Sequence, residues 1–269
     1  MFSRSTRGNE WGNDKGVDMS TIDERRERAS AGVDFGHDGR SEEFARPRVV
    51  LSPIAAPSVL GLFGFAGATF IVAANLAGWY GTPETPGYLF PFAAFFGGLA
   101  QFTAGMWAYR ARDAVATAMH GMWGAFWLGY GLLNLLVVTK TLPTGQTMDH
   151  ALGFWFIALC AITASGTLGA LAEGGFGVTA VLATLTTGSG LAAIGFLQGS
   201  AHVQHWAGWL FLISAFLAWY VGTAMMLKAA AGRTVLPLFK TSRDANVPGA
   251  QPTRAIQLEW GEPGIKMGQ

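Results

Sequence analysis

Six apolar runs of about 20 residues or more follow one another through the middle of this chain, at residues 59–78, 88–109, 114–138, 151–172, 175–199 and 206–227. From Leu51 to Leu227 the Asp, Glu, Lys and Arg residues are Glu84, Arg110, Arg112, Asp113, Lys140, Asp149 and Glu173 and no others. A water-soluble domain of that size needs far more polar surface. A helix of about 20 residues crosses the roughly 30 Å of hydrocarbon in a bilayer. Within that layer every backbone N–H and C=O must be bonded inside its own segment. Length and composition therefore predict an all-α, polytopic membrane protein with six transmembrane helices. The breaks read as turns, at Gly81-Thr-Pro-Glu-Thr-Pro-Gly87 and Leu142-Pro-Thr-Gly145. The Glu173-Gly-Gly175 break is so short that the fourth and fifth helices must be tight antiparallel neighbours.

The flanks have a different composition. Residues 1–49 hold 9 of the 18 Lys and Arg and 10 of the 17 Asp and Glu, without apolar periodicity. They read as a disordered tail with room for one short helix near residues 21–31. No basic start leads into an apolar core there, so no secretory signal is expected. Residues 239–269 are polar with several Pro and Gly and read as a flexible second tail. The expected division is thus 1–49, a transmembrane domain over 50–238, and 239–269. With the N-terminus inside, the inner helix ends carry Arg46, Arg48, Arg110, Arg112, Lys228 and Arg233, while the outer loops carry Lys140. That bias predicts cytoplasmic termini and an inner (plasma) membrane location. A net charge of +1 makes no case for a nucleic-acid partner. One cysteine, Cys160, gives no intrachain disulfide, and no spacing suggests a metal or cofactor.

No Ser/His/Asp or Cys/His grouping and no phosphate-binding glycine loop occurs, so an enzyme is not expected. A charge at the bilayer centre costs about 2.5–3.5 kcal/mol and usually marks function, and none is placed there. What remains is uncharged polarity, from which Thr69, Gln101, His120 and Thr186 are taken as substrate-pathway candidates. Each has a plainer alternative: hydroxyls in membrane helices bond their own carbonyls or glue helices together, and a lone histidine is often a satisfied interior one. Gly61, Gly64 and Gly67, three apart, suggest a smooth face for close helix approach.

Five segments, in order along the chain, resemble the acetate uptake transporter family (GPR1/FUN34/YaaH). Ala56-Pro-Ser-Val-Leu-Gly-Leu-Phe-Gly-Phe65 stands where that family has NPAPLGLxGF. Phe96-Gly-Gly-Leu-Ala-Gln101 resembles YGGxAQ, and Trp123-Gly-Ala-Phe-Trp127 resembles YGSFW. His205-Trp-Ala-Gly-Trp209 is similar to HxAGW, and Gly232-Arg-Thr-Val-Leu-Pro237 to GRTVLP. The resemblance implies six helices around a pore, a homohexamer, and passage of acetate and similar small monocarboxylates, succinate being a further candidate, with a proton. It implies a pore constriction at Phe65, Trp123 and Leu185, and a small pore-facing residue at Ala218. Three departures stand out: Ala56 replaces the family Asn, Val59 its second Pro, and Trp123 the constriction Tyr. A channel for another small neutral solute, and a non-transporting scaffold or sensor, are the alternative readings.

Overall fold

The computed structural model describes residues 54–241. The helix expected near residues 21–31 lies outside the described residues, as do both tails apart from residues 239–241. Six helices are long and apolar enough to cross a membrane: α1 (Pro57–Leu76), α2 (Pro86–Ala111), α3 (Ala114–Val138), α4 (Gln146–Ala172), α5 (Phe176–Leu197) and α6 (Ala201–Ala231). Local chemistry sets their ends. Pro57 opens α1, where its missing N–H has no intrahelical partner to lose. Asp113 caps α3 by accepting the Ala116 N–H on Oδ1 at 2.7 Å. Gly232 closes α6 at a φ of +63°, a conformation that glycine adopts freely.

Three details differ from the sequence expectation. Helices α4 and α6 start at Gln146 and Ala201, upstream of the apolar runs at 151 and 206. A helix can carry polar residues such as Asp149 and His202 where it emerges into the headgroup layer. Helix α2 is not uniform either, since Ala93–Ala100 is π-helical. Pro91, just upstream, withholds one N–H from the ladder. Finally, the folded region runs past residue 238. The Tyr220 hydroxyl donates to the Pro237 carbonyl at 2.9 Å, and the Thr241 N–H donates to the Gly174 carbonyl at 3.0 Å. Lys240 makes an antiparallel bridge with Gly175. This strap crosses the end of the bundle that carries Arg110, Arg112, Lys228 and Arg233, called the basic end below.

Chain neighbours pack as antiparallel pairs, and α6 packs back on α1, so the helices form a closed ring. The α2–α3 pair is the most extensive and the α3–α4 seam the thinnest. Glycines let backbones meet at several seams. A Cβ on Gly105 of α2 would lie 2.6 Å from the Gly121 nitrogen of α3, and one on Gly208 of α6 would lie 2.6 Å from the Ala77 nitrogen. The Gly61, Gly64 and Gly67 set does not act as one face. Gly64 meets the Phe96 carbonyl, Gly61 meets the ring of His120, and Gly67 has the Phe96 side chain as its nearest neighbour. At 100° per residue, a three-residue step drifts about 60° around the helix, so Gly61 faces α3 while Gly64 and Gly67 both face Phe96 of α2. The outward faces carry exposed Phe95, Trp107, Leu132, Phe154, Leu168 and Phe216, as expected where lipid is the solvent.

Candidate functional site

Phe65 on α1, Trp123 on α3, Leu185 on α5 and Ala218 on α6 are all buried in one apolar core. The first three come from alternate members of the ring. The Phe65 and Trp123 rings meet edge to face, with centroids 6.0 Å apart and planes at 76°. Such a pair adds about 0.5–1.5 kcal/mol beyond its buried area. The Trp123 indole N–H donates to Thr163 Oγ1 on α4 at 3.0 Å. The Thr163 hydroxyl donates onward to the Leu159 carbonyl at 2.6 Å. The polar edge of Trp123 is thus committed to α4, and what it offers the interior is apolar.

Two cavities approach this layer from opposite ends. One, of about 360 Å³, opens at the basic end and reaches Leu62, Met119, His120 and Leu182. Its outer rim carries Asp113, Glu173, Lys228 and Lys240. The other, of about 240 Å³, is walled by Thr69, Trp123, Phe126, Tyr130, Phe156 and Leu185. The same switch occurs on three helices. Leu62 faces the first cavity and Thr69 the second, with Phe65 between them in sequence. His120 faces the first and Trp123 the second, and Leu182 and Leu185 divide likewise. Steps of three or seven residues move a side chain along the axis while keeping it on the inward side of the helix. Phe65, Trp123 and Leu185 therefore sit at one level between the two cavities.

The other sequence candidates divide. Thr69 and His120 line cavities, and neither Thr69 Oγ1 nor His120 Nδ1 has a hydrogen-bond partner among the described residues. A buried polar atom left without a partner costs about 1–3 kcal/mol, so each marks a place the fold does not optimise for stability. Gln101 is buried where the π-helical segment ends, and its Oε1 also lacks a partner among the described residues, yet it lines neither cavity. Thr186 lines neither cavity as well: its hydroxyl is bonded to the Leu182 carbonyl at 2.8 Å and lies 3.2 Å from that of Thr167 on α4. It serves the α4–α5 seam, as does the Cys160 thiol, which donates to the Thr186 carbonyl. Ala218 is fully buried and also lines neither cavity.

The sequence reading did not single out the charged rim or the aromatic wall of Tyr130 and Phe156. Offsets of three or four residues from the constriction would have pointed to Leu62, Met119 and Leu182. On the rim, burial and the nearby Asp113 raise the Glu173 carboxyl above its ordinary value, and Lys240 opposes the rise. Chemically, an apolar layer between two part-polar chambers resists a hydrated ion, which would lose its water there without replacement. It is less resistant to a small solute that is neutral or has an apolar end.

Comparison with known proteins agrees with this architecture. The sequence pattern of the GPR1/FUN34/yaaH family matches residues 44–242. The chain is 31% identical over 189 residues to the succinate-acetate/proton symporter SatP of Escherichia coli K12, an alignment covering 69% of this chain and 95% of the relative. It is 28% identical over 169 residues to ammonia transport outward protein 2 of Saccharomyces cerevisiae, covering 62% of this chain and 59% of that protein. The solved structure of the bacterial acetate channel SatP superposes with a TM-score of 0.64 at 28% identity, covering 69% of this chain and 99% of that one. These relatives are named as transporters and a channel, not as enzymes. The chain is a multi-pass membrane protein and belongs to the GPR1/FUN34/yaaH family.

Proposed function

We propose that this protein passes acetate and similar small monocarboxylates across the membrane, through the layer formed by Phe65, Trp123 and Leu185. The observation that carries the reading is the pair of cavities that end on opposite sides of that layer. The names of the SatP relatives support the substrate class. The basic end faces the cytoplasm, in keeping with the positive-inside rule. On this reading the tails, 1–49 and 239–269, lie inside the cell and the protein belongs to the plasma membrane. The hexameric assembly follows from the family resemblance alone.

Proton linkage arises most simply from the substrate. A low-dielectric passage raises the pKa of an unpaired carboxylate, so the neutral acid crosses more readily than the anion. Succinate would need both of its carboxyls protonated, which places it below acetate as a substrate. Thr69 sits at the mouth of the layer, and Gln101 and Ala218 are buried in the helices around it.

Labelled acetate uptake into proteoliposomes, with and without an inward proton gradient, tests the reading, with Phe65→Ala in parallel. Uptake that depends on protein, rises with the gradient and changes with Phe65 is expected. Uptake no greater than in empty liposomes, from folded protein, would overturn it. Ammonia release assayed in the same vesicles then becomes the next experiment, given the yeast relative.

A further inference from the structure

We propose that His120 is a receiving site for the carboxylic acid and its proton, one helical turn beyond the constriction in the basic-end cavity. The inference rests on the function proposed above and gives that passage a chemical step.

The His120 side chain is 6% exposed, and it lines the cavity. Its ring lies against α1 at Gly61, where a Cβ would sit 2.5 Å from Nδ1 and Cε1. Glycine is what makes room for the imidazole there. Contact along the Nδ1 edge leaves the Nε2–Cδ2 edge for the cavity. Nδ1 has no hydrogen-bond partner among the described residues, so no bond within them holds the ring to a structural duty. Trp123, the layer residue of the same helix, lies three positions further along α3.

The other charged or titratable groups lining this cavity lie further out. Asp113 precedes α3 and already spends Oδ1 on the Ala116 N–H. Glu173 follows α4, Lys228 is in the last turn of α6, and Lys240 is on the strap. From α1 and α5 the cavity receives uncharged side chains such as Ser58, Leu62, Val178 and Leu182. An acid emerging from the layer therefore meets His120 first.

The step balances. The O–H bond of the neutral acid breaks as an N–H bond forms on the imidazole, leaving carboxylate and imidazolium paired. Such a charge-assisted pair is stronger than a neutral hydrogen bond. The carboxylate then leaves past the lysines of the rim, and the imidazolium releases its proton to water. One acid enters, and one carboxylate and one proton depart.

The full chain, labelled with ¹³C-histidine in detergent micelles, allows the test. The His120 resonance is assigned by its disappearance in His120→Gln. Sodium acetate at fixed pH is expected to move it saturably, and sodium chloride at the same concentration is not. Gly61→Ala forces the ring aside without removing it and is expected to abolish the response. In proteoliposomes, His120→Gln is expected to raise the acetate concentration for half-maximal transport from the basic end by roughly tenfold, as loss of one charge-assisted bond implies. If the parent transports acetate while the resonance ignores it, the inference is overturned and the proposed function stands. If the parent transports none, the proposed function fails, and the resonance still decides whether His120 receives a carboxylate.

Discussion

The indole of Trp123 is tied to Thr163 across the α3–α4 seam, N–H to Oγ1 at 3.0 Å. This is the thinnest seam of the ring, and the bond joins it at the level of Phe65 and Leu185. The family resemblance places a tyrosine where Trp123 stands. An indole donates but cannot accept, and here its one donor is spent on the scaffold.

Thr163→Val removes the acceptor and leaves a buried N–H unpaired. A loss of about 1–3 kcal/mol is expected, read as a lower midpoint of thermal unfolding in detergent. Parent-like unfolding would show that the bond adds no stability.

Trp123→Tyr shortens the side chain and puts a hydroxyl in the layer. Uptake is expected to shift toward ordinary acetate transport. The check is a comparison of acetate, propionate and lactate uptake, and identical profiles for variant and parent would contradict it.

Gly105→Ala drives a methyl to within 2.6 Å of the Gly121 backbone nitrogen. A backbone atom cannot swing aside as a side-chain tip can, so α2 and α3 must separate. Overpacking of this kind costs about 1–3 kcal/mol. The variant is expected to unfold at lower temperature, with its circular dichroism still helical.

Glu173 supplies a pH dependence of stability. Its carboxyl in the folded protein titrates above the ordinary value of 4.5, through burial and the nearby Asp113. The folded state therefore holds this proton more tightly than the unfolded state does. The group favours folding at pH below its ordinary value, and that contribution is lost as pH rises through the raised value. Glu173→Gln is expected to flatten the thermal midpoint across this window. A slope equal to the parent's would assign the dependence to another group.

The six spans were legible because length and the near absence of charge leave a chain in a bilayer few alternatives. The π-helical stretch of α2 was not, since residues 93–100 are as apolar as any ordinary span. Polarity singled out Thr69 and His120, which do line cavities, but it equally selected Gln101 and Thr186, which do not. Composition says that a hydroxyl is in the bundle. Which neighbour it meets depends on how each helix is rotated in the ring, and near-uniform apolarity gives little signal for that. The constriction residues came from motif resemblance, not from any property of Phe65 or Leu185 that sets them apart from other apolar residues.

The alternation of helices around the layer has an evolutionary consequence. On the function proposed above, the side chains that set the aperture, Phe65, Trp123 and Leu185, come from α1, α3 and α5. On that reading, an exchange at Phe65, Trp123 or Leu185 would alter what can pass while sparing the glycine contacts, such as Gly105 with Gly121, that hold neighbours together. Selectivity would then drift by single substitutions within an unchanged frame, and Trp123, where the family resemblance places a tyrosine, would be one such step.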